Sequence, residues 1–409
     1  MRVSKKTIEQ QRQTKAATIL LTGGTGLIGS HLAAALLGMG YRVMVLCRSA
    51  KKLSAQERID TILRWLGPTP YDRSRLIVVE ATLDKPRLGL NDAIYDTILR
   101  NVDEIVHCSA NTSFSERKRR EIENANITGL KNIIEIGVKS NCYYFHYLST
   151  AYAAGKRSGV CEEKLIETRN FTNVYEETKN RGEHYVAQRC GEEGIQANIY
   201  RPSIIYGNAA TGKTIRFNGL YYPLRIVYFL KTTFERDIAN SGGKNAAGMG
   251  VSIDRDGTLY LPLRIEKAQG ATLNLISIDY LVRSFIAVME EFLDGGVFHI
   301  VSDSPISLET LTAYANRFFN VRGLRAVDKE EFIHESRNPL ERLLDSYLEP
   351  YHPYMQDTRL FENEKTRSVQ AKRNIYCPDF DYSLFARCME YAVLVDWGKK
   401  LFQPPAMAG

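Results

Sequence analysis

The sequence lacks several features that would mark other classes of protein. None of its seven cysteines (Cys47, Cys108, Cys142, Cys161, Cys190, Cys377 and Cys388) forms a Cys-x-x-Cys pair, and their number is odd. A disulfide framework and a zinc site are therefore poor readings, and free thiols in a reducing compartment fit best. His107, His146 and His184 are dispersed without metal-ligand spacing and read as structural. No apolar run reaches the ~18 residues needed to cross a bilayer. The first sixteen residues lack the apolar stretch of a secretory signal. There is no internal repeat, and the expected location is the cytoplasm.

A strong charge is missing too. The net charge is +7, but residues 1–16 carry five bases (Arg2, Lys5, Lys6, Arg12, Lys15) against Glu9 alone. The rest of the chain is only mildly basic, which gives no case for nucleic acid. Residues 1–16 read as a basic arm, flexible or helical; a membrane-surface or partner tether is the sharper alternative. What remains is ordinary for a globular protein. At 409 residues, 44% hydrophobic and 25% charged, it can bury a large core and form more than one lobe.

The most informative stretch is Thr22-Gly23-Gly24-Thr25-Gly26-Leu27-Ile28-Gly29-Ser30. Residues 17–21 before it fit a buried strand, and residues 31–39 after it, rich in Ala and Leu, fit a helix. Strand, glycine turn and helix make the phosphate cradle of a dinucleotide-binding βαβ unit. The N–H groups at the helix start would face the two phosphates. Both Gly24-x-Gly26-x-x-Gly29 and Gly23-x-x-Gly26-x-x-Gly29 fit, and the alignment with Gly23 first is preferred. Residues 41–47 read as the next strand, ended by Arg48 with Lys51 and Lys52 close behind. An acidic residue there would hold a ribose 2′-hydroxyl, whereas an arginine suits a 2′-phosphate, so NADPH is favoured over NADH.

Helices are expected at 53–66, 91–100, 122–138 and 174–190, and strands at 75–80, 102–108, 143–148 and 196–201. The alternation predicts an α/β fold built on a doubly wound parallel Rossmann sheet. Beyond Gly207 it stops. There we expect a helix at 217–232, a mobile loop at 240–250, strands at 271–278 and 297–301, and helices at 279–292 and from Ser307. Tyr-rich helices follow from Phe332, with an apolar one at 382–397 that packs on the body. The domain reading is an arm (1–16), an NADP-binding domain (17–215, joined by parts of 271–301), and a smaller substrate-binding lobe (216–270 and 302–409).

Tyr175 and Lys179, four residues apart in a predicted helix, project from one face. An ammonium beside a phenol lowers its pKa from ~10 and fits it for proton transfer. Ser149 and Thr150 end a strand at the carboxyl edge, where doubly wound sheets bind ligands. Either hydroxyl could stabilise a developing oxyanion.

Residues 22–29 with Asn111, Asn126, Thr150, Tyr175, Lys179 and Arg201-Pro202 resemble, in order and spacing, the extended short-chain dehydrogenases/reductases. The likeness covers about 17–207 and continues more weakly to Ile278-Asp279-Tyr280. It implies Thr150 as catalytic hydroxyl, Tyr175 as proton donor and Lys179 as its partner. The implied cofactor residues are Thr22, Gly23, Thr25, Gly26, Leu27, Ile28, Gly29, Arg48, Ser109, Ala110, Asn126, Ser149, Tyr175, Lys179, Arg201, Pro202, Ser203 and Ile204. Within that family, Leu46-Cys47-Arg48-Ser49 with Glu57-Arg58-Ile59, Pro86-Arg87-Leu88-Gly89-Leu90 and Ser149-Thr150-Ala151-Tyr152 resemble thioester reductase and fatty acyl-CoA reductase domains. Two departures stand out: Ala81-Thr82 replaces a Gly-Asp that would contact adenine, and His107-Cys108-Ser109-Ala110 replaces His-x-Ala-Ala.

The implied activity is NADPH-dependent hydride transfer to an acyl thioester, carried by coenzyme A or a carrier protein, giving an aldehyde or alcohol. One rival is a sugar-nucleotide epimerase, dehydratase or ketone reductase on the same scaffold; another is a non-catalytic dinucleotide sensor. Residues 221–230 would wall an acyl groove or, preferentially, form the core of the smaller lobe. Arg117-Lys118-Arg119-Arg120 would meet a coenzyme A phosphate or an acidic carrier protein or, preferentially, form a solvated helix face. Peripheral membrane contact and a homodimer complete the partner expectations.

Overall fold

The computed structural model describes residues 4–50, 53–67 and 70–402. Lys51 and Lys52 of the basic stretch lie outside the described residues.

The first half alternates as the sequence pattern requires. In chain order it runs α1 (Lys5–Thr14), β1 (Thr18–Thr22), α2 (Leu27–Gly38), β2 (Arg42–Cys47), α3 (Ala55–Leu66), β3 (Leu76–Glu80), α4 (Asp92–Asn101) and β4 (Glu104–His107). It continues with α5 (Arg119–Glu123), α6 (Gly129–Lys139), β5 (Tyr144–Leu148), β6 (Gly159–Cys161), α7 (Val174–Glu192) and β7 (Gln196–Pro202). A capping box, Ser54 with Glu57, starts α3.

Six of these strands and one other form one seven-stranded sheet. With β13 (Gly296–Ile300) at one edge, its order is β13-β7-β5-β4-β1-β2-β3, with every pairing parallel. Helices cover both faces, so β1 is buried along its whole length. The pleat sorts its side chains: Ile19 and Leu21 join the layer with α2, while Leu20 joins the layer under α4 and α6. Strand order reverses between β1 and β4, which opens a crevice at their carboxyl ends.

The second half builds another core. Its elements are β8 (Ile204–Tyr206), α8 (Tyr221–Ser241), α9 (Lys244–Gly248), β9 (Ser252–Ile253), β10 (Leu259–Lys267), β11 (Thr272–Leu273), β12 (Leu275–Ser277) and α10 (Ile278–Glu291). After β13 come β14 (Ile306–Ser307), α11 (Leu308–Phe319), β15 (Val321–Asp328), α12 (Lys329–His334), α13 (Pro339–Leu348), α14 (His352–Met355), β16 (Arg359–Phe361), α15 (Glu364–Lys372) and α16 (Tyr382–Leu394). Leu224, Val227, Leu261, Leu324, Leu344, Phe385 and Met389 meet in this core. The apolar face of α16 therefore packs on the body, although Leu394 stays exposed.

Three expectations need correction here. The helix expected at 217–232 starts at Tyr221 and runs on to Ser241. The loop expected at 240–250 contains α9, held by Asp237, which accepts from Asn245 Nδ2 (2.8 Å) and Ala246 N (2.9 Å). The parallel pair β10 and β15 was not anticipated. Pro262 inside β10 argues against a strand, and the register does shift between Tyr260 and Leu263.

Residues 1–16 are also more than a charged arm. In α1, Ile8 and Arg12 are buried, and the Arg12 guanidinium donates to both carboxylate oxygens of Glu104 at 3.0 Å. Loop 86–90 has its own device. Arg87, Leu88 and Gly89 all adopt positive φ, and the first two carry the steric cost of that region. The turn drives Leu88 into the core, where it is fully buried. Among the described residues, no helix is long and apolar enough to cross a membrane.

Candidate active site

The glycine turn lies at the switch point. Gly23 has φ +74°, and a Cβ there would stand 2.9 Å from the Cys108–Ser109 backbone. A Cβ on Gly29 would stand 2.3 Å from the Gly23 carbonyl oxygen. Gly24 instead packs on Val45 of β2, so it serves the joint between the turn and the sheet. The geometry therefore makes Gly23, Gly26 and Gly29 the working set. Gly26 caps α2 without a side chain, which leaves the first-turn N–H groups of Leu27 and Ile28 without a capping side chain. These donors, the bare turn and the positive end of α2 fit a dinucleotide pyrophosphate. Thr22 sits below them, fully buried. Its hydroxyl accepts from Ser109 N (3.2 Å) and pairs with His107 Nδ1 (3.0 Å).

Arg48 is exposed at the end of β2. A second cation stands with it. Arg58, from α3, reaches back to the Arg48 carbonyl, to Cys47 Sγ at 3.7 Å and to Thr25 Oγ1 at 3.4 Å. The sequence reading did not assign Arg58 to the site, although it lies less than one strand-and-turn downstream of Arg48.

Opposite the cradle, Thr150 ends the strand region after β5, and Tyr175 is in the first turn of α7. The Thr150 hydroxyl lies near enough to the Tyr175 phenol to favour its ionised form. Burial pushes the phenol above its ordinary pKa, and the Glu176 carboxylate adds to this. Lys179 lies one turn along but does not face the phenol. Its ammonium donates to the Leu148 carbonyl at 2.5 Å and rests 4.7 Å from the Tyr147 ring centroid. Burial lowers its pKa to about 8. The expectation that this ammonium depresses the phenol's pKa is therefore not met in this arrangement: the lysine is held by Leu148 and Tyr147 instead.

Other predicted residues fall into a supporting layer. Asn126 lies in a wide, π-type turn, Asn124–Thr128, between α5 and α6. Its amide accepts from Asn111 N (2.7 Å) and donates to Asn111 O and Thr178 Oγ1 (both 3.0 Å), which ties the loop after β4 to α7. The Ser149 hydroxyl donates to Glu183 at 2.5 Å. The Arg201 guanidinium, fully buried, donates to the same carboxylate at 2.8 and 2.5 Å. Both side chains thus point at Glu183 beneath the site. Pro202, which ends β7, and Ser203 are buried, and Ile204, which opens β8, is half-buried; Ser203 Oγ has no hydrogen-bond partner. Ser109 and Ala110 are half-buried beside Gly23.

The C-terminal half also reaches the site, which the sequence pattern gave no means of seeing. Phe114 lies 6.2 Å from Tyr175, 5.8 Å from Tyr351 and 5.4 Å from Tyr354, measured between ring centroids. Tyr222 of α8 stacks on Tyr351 at 5.2 Å. Tyr354 itself hydrogen-bonds Asn173 and Glu176 at the start of α7.

The profile of a family described as male sterility protein, an NAD-binding family, matches residues 21–251. The chain belongs to that family. Fatty acyl-CoA reductase 1 from Mus musculus is 29% identical over 225 residues, covering 46% of this chain and 43% of the mouse protein. The chain thus matches less than half the length of this curated relative. Among solved structures, the terminal R domain from the myxalamid PKS-NRPS biosynthetic pathway superposes with a TM-score of 0.70 at 19% identity, covering 95% of this chain and 98% of its own. UDP-glucuronic acid 4-epimerase from Bacillus cereus, in complex with NAD, superposes with a TM-score of 0.59 at 18% identity, covering 94% of this chain and 100% of its own. The fold of this male sterility family member is that of an extended short-chain dehydrogenase/reductase.

Proposed function

We propose that the chain is an NADPH-dependent reductase of acyl thioesters, coenzyme A- or carrier-bound. Family membership supports an NAD(P)-dependent oxidoreductase. The observation that carries the chemistry is the placement of the Thr150 hydroxyl beside the Tyr175 phenol, on the same sheet whose β1 leads into the Gly23–Gly29 cradle. The fatty acyl-CoA reductase likeness and the fit to a reductase domain favour a thioester over a sugar nucleotide. The pair of guanidinium groups at the end of β2, Arg48 and Arg58, favours a cofactor with a 2′-phosphate.

Bound in the cradle, the dinucleotide would supply the hydride. The first-turn N–H groups of α2 would hold its pyrophosphate, and Lys179 would hold its nicotinamide ribose. Thr150 and Tyr175 grip the thioester carbonyl oxygen, and Tyr175 gives its proton to that oxygen as charge develops. Burial keeps the phenol protonated at neutral pH, so it carries the proton to be given. Collapse of the resulting hemithioacetal releases thiol and aldehyde.

NADPH oxidation against a panel of acyl-CoA thioesters, with product identification, tests the reading. Tyr175→Phe is expected to slow it by at least about 10²-fold. Turnover of UDP-sugars on retained NAD, with no thioester-dependent NADPH loss, would replace this reading with the epimerase one.

A further inference from the structure

Tyr354 comes from α14, far along the chain from the catalytic helix, yet its hydroxyl sits inside that helix's first turn. Asn173 Nδ2 donates to Tyr354 Oη at 2.8 Å, and the Tyr354 hydroxyl donates to Glu176 Oε1 at 2.8 Å. The circuit closes locally. Asn173 Oδ1 accepts from Glu176 N at 3.1 Å, and Glu176 Oε2 accepts from Thr172 N at 3.0 Å. Glu176 is fully buried and adjoins Tyr175 in sequence.

A buried carboxylate beside a phenol that must give up a proton is a liability, because its charge opposes phenolate formation. It is retained here with two donors on it, the Tyr354 hydroxyl and Thr172 N. Arg359 lies over the Tyr152 ring, pairs with Asp357 and donates to the Gly155 carbonyl at 2.8 Å. Burial raises the Glu176 pKa, and the Arg359 charge and the Tyr354 hydroxyl work against that rise by favouring the ionised carboxylate.

We infer that Tyr354 is a positioning residue for Tyr175: by bridging Asn173 and Glu176 it fixes the first turn of α7 and engages the Glu176 carboxylate, drawing off part of its charge. The inference rests on Tyr175 being the proton donor. It makes the C-terminal lobe part of the proton-transfer apparatus without touching substrate.

The test is a double-mutant cycle on the full chain, with kcat, KM and the solvent deuterium isotope effect measured for thioester-dependent NADPH oxidation. Tyr354→Phe keeps the ring packing and removes only the hydroxyl. It is expected to lower kcat about tenfold with substrate KM unchanged, as small misplacements at reacting groups do. The isotope effect should rise, because a phenol facing an uncovered carboxylate is a poorer acid. In a Glu176→Gln background there is no charge to uncover, so the same replacement should change kcat less than about twofold. Wild-type kcat and isotope effect in Tyr354→Phe, or an equal loss in both backgrounds, overturns the inference. If Tyr354→Phe does not fold, Glu176→Gln alone decides. Its isotope effect should fall or stay level, and a rise overturns the inference. A parallel Tyr175→Phe arm separates the two failures, since unchanged turnover there refutes the proton-donor reading itself.

Discussion

Arg12 and Glu104 stand 92 residues apart in sequence and meet in a two-pronged ion pair from which water is excluded, their side chains 4% and 0% exposed. His146 Nε2 donates to the other face of the carboxylate at 3.0 Å, and its Nδ1 pairs with the Tyr200 hydroxyl at 2.9 Å. The guanidinium also lies 4.6 Å from the Tyr144 ring centroid. One helical turn of α1 is thereby bolted to β4 and β5. Removing one partner of such a pair leaves a bare buried charge, so Arg12→Ala should cost about 3–5 kcal/mol. The pH dependence has a definite sign. Arg12 and His146 hold the Glu104 carboxyl near 2, against an ordinary 4.5. Its contribution is present above 4.5 and lost as pH falls toward 2. His146 is held neutral by burial, below its ordinary 6.5, so folding also weakens as pH falls under 6.5. Thermal melts of wild type and Arg12→Ala from pH 3 to 8 check both: the wild-type melting temperature should fall on acidification, and the two curves should converge.

Arg58 should decide between the two dinucleotides. Loss of a charge-assisted contact to phosphate is worth about 1.5–3 kcal/mol. Arg58→Ala should therefore raise the NADPH KM at least tenfold and leave the NADH KM near its wild-type value. An equal rise for both cofactors would mean that Arg58 only supports the turn through the Arg48 carbonyl and Thr25.

Lys179 gives activity a basic limb. Its ammonium is charged below about 8 and neutral above. If the charged form holds the ribose, kcat/KM for NADPH should fall as pH rises through 8. Lys179→Met should abolish that limb along with most activity. Profiles from pH 6 to 10, taken in buffers of constant ionic strength, read this directly.

The basic run 117–120 divides in two. Arg119 is bound to Glu116 and Glu177 at 2.8 Å, so it belongs to the scaffold beside α7. Arg117, Lys118 and Arg120 are exposed, three to six residues beyond Phe114, which touches Tyr175. If they meet a carrier phosphate, charge reversal of these three should raise the KM for acyl-CoA about tenfold at low salt, with kcat unchanged and the effect fading as salt is added. An unmoved KM would leave them as a solvated face.

The Rossmann half was legible because its signals are local. Strand period, glycine turn and helix caps lie within a few residues of each other, and β1, β2, β4, β5 and β7 are apolar runs buried on both faces. The Ser307 cap of α11 could be read for the same reason. The second half follows contacts that no short window contains. β10 reads poorly because Pro262 interrupts it, and it is rescued by a parallel partner some sixty residues on, β15. The 240–250 stretch looks like a loop by composition, yet Asp237 winds it into a helical turn. Within the site, the positions of Thr150, Tyr175 and Lys179 on their elements followed from pattern. The Lys179 contact with Leu148, the Arg58 reach and the Tyr354 bridge all depend on tertiary placement.

The sheet order has a consequence for how the chain is made. β7 gains its outer neighbour, β13, only from residue 296 onward, well past residue 251, where the family match ends. Until then the nascent Rossmann half presents an open strand edge, and Tyr200 waits for the rings of Phe285 and Phe298. An unpaired apolar edge is a template for self-association. A fragment cut at residue 251 should therefore emerge insoluble, and during synthesis the chain depends on its late residues to seal a sheet begun at residue 18.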